Sequence, residues 1–337
     1  MEYYDAARRR EHPGLRTATM QLRNALRTGL QSLLQHQIPS AQLAAELLLM
    51  HLLGCDRGYL YSHPEREIPE ETVNHYLDLI AQRSTGKPTQ YITGHQEFWG
   101  LDFVVTPDVL IPRPETEHVV ETVLDLIERQ GCPRDARLRI VDVGTGSGCI
   151  ALALAAELPR AILFGGDISR MALVVASENA LRLGMPDRVK FLEGDLLARF
   201  LDEDFLGTFD FVVSNPPYVS REELDKVQRE VRDYEPRVAV GDLERGDEIY
   251  RRLFPQALQV LKPGGYVAVE IGYNMRDAVV SLLEWGVAPG LSPAEEAADL
   301  PISSGQAPVG ATPAWTDIEV KADLRGIPRV VSARARR

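Results

Sequence analysis

The stretch LRIVDVGTGSGC, residues 138–149, decides the fold. Its first half is apolar but for Arg139 and Asp142 and reads as a buried strand. Gly144, Gly146 and Gly148 then stand at alternate positions, where a backbone without side chains can turn tightly and let a ligand come close. The apolar run Ile150–Leu158 reads as the helix that follows, and its first N–H groups lack partners inside the helix. A dinucleotide loop for hydride transfer would carry G-x-G-x-x-G, but Cys149 holds the place of the third glycine. The loop therefore suits a different ligand at the end of this strand.

Toward the C-terminus, strand-like and helix-like segments alternate. AILFGGD (161–167), RVKFLEGD (188–195), FDFVVSN (209–215) and GYVAVEIG (265–272) read as short apolar strands, with helices at Ser169–Leu183 and Asp247–Leu261. TDIEVKAD (316–323) and RVVSARA (329–335) supply two final strands. This alternation predicts a doubly wound α/β sheet, mostly parallel, with one antiparallel edge strand. The segment Ala288–Ala314, rich in Pro, Ala, Gly and Ser, reads as an insertion before the penultimate strand.

Toward the N-terminus the pattern changes twice. Pro112 and Pro114 stiffen the chain ahead of a helix at about Glu115–Arg129. Tyr91-Ile92, Gly94 and Phe98–Val105 suggest a β-hairpin carrying aromatics. Thr17–Arg83 reads as helical: leucines recur at helical spacing, Ser40 is placed to cap a second helix that ends at Gly54, and a third opens at Pro69. The expected organisation is a helical domain over 1–88, a hairpin linker over 89–113 and an α/β domain over 114–337.

The 337 residues carry a net charge of −12, which disfavours a partner held through nucleic-acid phosphates. Cys55, Cys132 and Cys149 lie far apart with no ligand spacing, so neither a disulfide framework nor a metal site is expected, and a reducing cytoplasm fits. The first fifteen residues lack the apolar core of a signal peptide, and no apolar run is long enough to span a membrane.

Acidic residues refine the ligand. With Asp142 at its head, the 142–148 segment matches the acidic-x-G-x-G-x-G loop of class I methyltransferases, in which the carboxylate faces the positively charged aminoacid end of S-adenosyl-L-methionine, directly or through water. Asp167 ends the second strand and can accept bonds from both ribose hydroxyls. Asp195 ends the third; in methyltransferases that position reads the adenine amino group, and the next residue, here Leu196, flanks the ring. Asn215-Pro216-Pro217-Tyr218 closes the fourth. A planar amide or aromatic –NH2 has a delocalised, weakly nucleophilic lone pair. The Asn215 side-chain oxygen and the Pro216 carbonyl can each accept one of its hydrogens, the prolines hold that carbonyl still, and Tyr218 can pack over the planar group.

At this point the chain resembles the release-factor glutamine methyltransferases of the HemK/PrmC type. The likeness runs through Gln90–Gly94, Glu97–Gly100, Ile111-Pro112-Arg113-Pro114-Glu115-Thr116-Glu117, the glycine loop, Asn215–Tyr218 and Asp323–Arg329. It implies a Rossmann-like class I methyltransferase domain acting on N5 of the glutamine in the Gly-Gly-Gln tip of bacterial class I release factors, with the helical domain helping to grip that protein. Gly144, Thr145, Gly146, Ser147, Gly148, Asp167, Asp195, Leu196 and Asn215 carry over as cofactor contacts, and Asn215, Pro216, Pro217 and Tyr218 as the catalytic acceptor site. A monomer without stable nucleic-acid binding is expected. An adenine-N6 DNA methyltransferase, or a methyltransferase of another protein nitrogen, uses similar chemistry; the first would need a basic surface to hold the backbone while a base is flipped.

Overall fold

A computed structural model describes residues 19–241, 244–285 and 313–336; all but the last two residues of the Ala288–Ala314 stretch lie outside these. The chain folds as two units, Met1–Thr93 and Gly94–Arg337.

In the first unit, β1 (Thr19–Gln21), α1 (Leu22–Gln35), α2 (Ala41–Leu53), α3 (Arg57–Ser62), β2 (Glu67–Pro69), α4 (Glu70–Ser84) and α5 (Thr89–Thr93) follow in order. Leu22, Ala25 and Leu33 of α1, Ala45, Leu48 and Leu49 of α2, and Val73, Tyr76 and Ile80 of α4 form its core. Burying each large aliphatic side chain contributes about 1.5–3 kcal/mol. Gly29 lets α1 meet Tyr76 closely, since a Cβ there would sit 2.2 Å from the tyrosine hydroxyl.

Two expectations fail here. Ser40 does not cap α2 with its side chain: it is left-handed at φ +50°, and its backbone carbonyl accepts the Ala44 N–H instead. Tyr91-Ile92 is helical rather than extended. Pro88 starts that turn, its carbonyl accepting the N–H groups of Tyr91 and Ile92, and burial of Tyr91 outweighs aromatic strand preference. The short β1–β2 ladder, pairing Met20 with Ile68, carries no sequence signal that sets it apart.

The second unit opens with β3 (His95–Phe98) and β4 (Leu101–Val104), an antiparallel hairpin. Both turn residues are left-handed, Trp99 at φ +55° and Gly100 at φ +70°, which suits the twist of a two-residue connection. A 3-10 turn at Pro114–Thr116 leads into α6 (Glu117–Arg129). Then follow β5 (Arg139–Val143), α7 (Cys149–Glu157), β6 (Ile162–Asp167), α8 (Arg170–Arg182), β7 (Val189–Glu193) and β8 (Phe209–Ser214). Three short helices, α9 (Arg221–Leu224), α10 (Arg229–Tyr234) and α11 (Arg237–Val240), precede α12 (Glu248–Val260), β9 (Leu261–Glu270), α13 (Arg276–Trp285), β10 (Trp315–Ala322) and β11 (Pro328–Ala335).

One seven-stranded sheet runs β10-β11-β9-β8-β5-β6-β7. β5 to β9 are mutually parallel; β11 runs against them, one place in from the edge, with β10 outside it. Alternation along the strands feeds two cores. Ile140, Phe211, Val213 and Ala268 pack with α6 and α7 on one face. Val141, Val143, Val212, Val267 and Val269 pack with α12 and α13 on the other. The chain winds to β6 and β7 on one side of β5 and to β8 and β9 on the other, so the strand order switches between β5 and β8, where such sheets bind ligands.

Candidate active site

A cavity of about 510 Å³ opens at that switch point, walled by Val143 from β5 and Ser214 from β8. Gly144, Thr145, Gly146, Ser147, Asp167, Asp195, Leu196, Asn215, Pro216 and Pro217 all line it. Residues as far apart in sequence as Asp108 and Arg252 thus wall one cavity.

The glycine loop is held against the neighbouring strand. Gly144 N–H and Thr145 N–H donate to the Gly166 carbonyl at 2.8 and 3.0 Å, and Gly144 and Gly146 take φ of +70° and +56°. Gly148 does not line the cavity; a Cβ there would press on Leu152 and Ala176, so its glycine lets α7 and α8 pack closely. Nearby, the buried Asn179 bonds both backbone groups of Val104 and the Ser147 carbonyl, tying the hairpin to the loop.

Asp167 accepts from Gly146 N–H at 2.9 Å and from Ser169 N–H at 2.8 Å. Burial raises its carboxyl while these N–H groups oppose the rise. Each oxygen keeps acceptor capacity, as a pair of neighbouring hydroxyls requires. Asp142, expected to face the ligand, is buried off the cavity wall, its carboxyl beside the Ala151 backbone N–H in the first turn of α7. Burial pushes its carboxyl up to about 7, Thr145 Oγ1 donates to Oδ2 at 2.6 Å, and Oδ1 is buried without a hydrogen-bond partner. Asp195 lies two residues beyond the end of β7, is about half exposed, and pairs with Arg252 of α12, which also lines the cavity. Leu196 beside it is left-handed at φ +51°.

On the other side, Asn215 Nδ2 donates to Thr116 Oγ1 at 3.0 Å. Tyr218 does not line the cavity: its hydroxyl donates to Glu270 at 3.3 Å, and its ring packs beside Gly272. Arg113, Thr116 and the 237–239 segment form walls that were not singled out as site residues above. Arg113 donates to the buried Glu235 at 2.5 Å, pinning the proline-rich 111–116 segment to the short helices after Tyr218. The proline spacing at 112 and 114 was the available signal for that wall; nothing marked Glu235 or Asn179.

Comparison with known proteins places the chain in a family. The family description "PrmC N-terminal domain" matches residues 24–94, and "Methyltransferase small domain" matches residues 125–233. A release factor glutamine methyltransferase of Koribacter versatilis is 46% identical over 315 residues, 94% of this chain and 99% of that one. Its counterpart from Nitratidesulfovibrio vulgaris is 37% identical over 94% of this chain and 96% of its own. The chain belongs to the release factor glutamine methyltransferase family. It is a methyltransferase, and its methyl donor is S-adenosylmethionine. The site suits that group: a loop with left-handed glycines at 144 and 146 on the cavity wall, and the two-oxygen acceptor of Asp167 beside it. Among the described residues no helix is long and apolar enough to cross a membrane.

Proposed function

We propose that the chain methylates N5 of the glutamine in the Gly-Gly-Gln tip of bacterial class I peptide-chain release factors, as a cytoplasmic monomer that does not stably bind nucleic acid. The observation that carries this reading is the Asn215 side chain, whose Nδ2 is engaged by Thr116 so that Oδ1 is the atom left for an incoming –NH2. Asn215 Oδ1 and the Pro216 carbonyl take one amide hydrogen each, which turns the nitrogen lone pair toward the methyl group. Bound S-adenosylmethionine supplies that methyl on a positively charged sulfur. Sulfur would keep the electron pair of the broken S–C bond, and the acceptor nitrogen would pass its extra proton to solvent. No general base is needed first.

On this reading Asp167 holds the ribose hydroxyls, Asp195 and Leu196 hold the adenine once Arg252 shares its carboxylate partner, and Asp142 answers the aminoacid end through the loop or a bridging water. Residues 1–88 recognise the release factor and 89–113 link that part to the catalytic domain at 114–337. Mass spectrometry of a release factor co-expressed with the enzyme should find one added methyl, 14 mass units by the arithmetic of CH2, on that glutamine. An unmodified glutamine beside active enzyme would end the proposal.

A further inference from the structure

Asn215 can present either end of its amide to the cavity, because a half-turn about its last side-chain torsion exchanges Oδ1 and Nδ2 at nearly constant shape. Only one orientation accepts a hydrogen from an incoming –NH2. What selects it lies behind the cavity wall. Thr116 Oγ1 receives the Asn215 Nδ2 bond, and a hydroxyl has a single proton to place elsewhere. Beside Thr116 stands Glu270, the last residue of β9, only 3% exposed. Burial pushes its carboxyl up to about 7, while the Thr116 hydroxyl beside it and the Tyr218 hydroxyl, which donates to Oε1 at 3.3 Å, oppose that rise. Its Oε2 is buried with no hydrogen-bond partner. The Glu270 backbone is fixed too, the carbonyl accepting Tyr250 Oη at 2.8 Å. Of the charged neighbours, Arg329 favours the carboxylate and Glu115 opposes it, and Arg329 is itself paired with Asp323 at 2.9 Å.

A buried carboxylate without a cation in contact is costly in a strand whose preceding residues are Val267, Ala268 and Val269. We infer that Glu270 is a positioning residue for methyl transfer: it draws the Thr116 proton to itself, leaves Thr116 able only to accept, and so fixes Asn215 with Oδ1 toward the acceptor. Tyr218 serves the same carboxylate from the far side, which explains why this tyrosine turns away from the cavity. The inference rests on the reading of Asn215 as the group that orients the –NH2.

The test compares single-turnover methylation of intact release factor, at saturating cofactor, across five variants of the full chain. Thr116→Val keeps the side-chain shape and removes the hydroxyl; its rate should fall about ten-fold or more, with cofactor affinity within about two-fold of wild type. Thr116→Ser should recover most of that loss, which a packing role for the threonine methyl would not allow. Glu270→Gln should also lower the rate about ten-fold, and the Thr116→Val/Glu270→Gln double variant should be no slower than the slower single, because both act through one hydroxyl. Asn215→Ala is the reference. If it turns over like wild type, the reading of Asn215 itself is wrong. If it is impaired while Thr116→Val matches wild type, or while the two substitutions multiply, the positioning role of Glu270 is overturned. Should Glu270→Gln fail to fold, as judged by thermal unfolding, the valine and serine variants at 116 decide the matter alone.

Discussion

Replacing Asn215 by Ala removes the oxygen that would orient the acceptor, and single-turnover methylation should drop by ~10²-fold or more, the scale of losing a positioning group. Cofactor affinity, measured by calorimetry, should change far less. Asn215→Asp keeps an acceptor oxygen but loses the Nδ2 donor to Thr116, so it should fall between Ala and wild type. An Ala variant at wild-type rate would reduce the Asn-Pro-Pro-Tyr segment to a structural turn. Asp142 offers a pH test at the same scale. Burial holds its carboxyl up at about 7 with Oδ1 unsatisfied. A positively charged ligand favours the ionised form and lowers that pKa on binding. Cofactor binding should therefore release a proton near neutrality and tighten severalfold per unit as pH rises toward about 7, levelling off above. Asp142→Asn should flatten the dependence; an unchanged slope would assign the titration to another group.

Among the elements, the short helices α9 to α11 return to the acceptor segment at a glycine. Gly241 takes φ +132°, and a Cβ there would lie 2.3 Å from the Val219 carbonyl oxygen and 2.9 Å from its nitrogen. Gly241→Ala must shift the backbone next to Tyr218. Turnover should fall about ten-fold or more, since small misplacements near reacting groups are costly, while the thermal midpoint moves by only a few degrees. Rate and melting temperature measured on one preparation would check this, and an unimpaired rate would show the segment free to move. The parallel strands were legible because their apolar runs are short and bounded by Gly, Asp or Asn, as in LRIVDVG and FDFVVSN. The glycine loop and Asn215–Tyr218 were legible because their spacing is local. What escaped is fixed by distance in sequence: Asn215 meets Thr116 across 99 positions, Arg113 meets Glu235 across 122, and Asp195 meets Arg252 across 57. Asp142 and Tyr218 were recognised as motif residues, but their burial behind the cavity wall depends on packing that no local pattern records.

For the whole molecule, every residue lining the cavity lies in the unit Gly94–Arg337. The first unit has its own core of Leu22, Leu48, Leu49 and Tyr76, so each part can fold around its own apolar interior. Removing residues 1–93 should leave S-adenosylmethionine binding close to that of the full chain and sharply reduce methylation of intact release factor. Full-rate methylation by a folded truncated enzyme would remove the gripping role of the helical unit. The sheet itself has a further consequence. Apart from Asn215, which is assigned to both, groups assigned to the donor follow β5, β6 and β7, while those assigned to the acceptor come from β8, β9 and the 111–116 turn. Between them runs a single ladder, Ile140 with Phe211 through Val143 with Ser214, made of backbone and indifferent to side chains. That ladder is a seam. Along it, the machinery for supplying a methyl group can stay unaltered while the surface that chooses its recipient is exchanged, so the architecture allows new targets to be acquired without new donors.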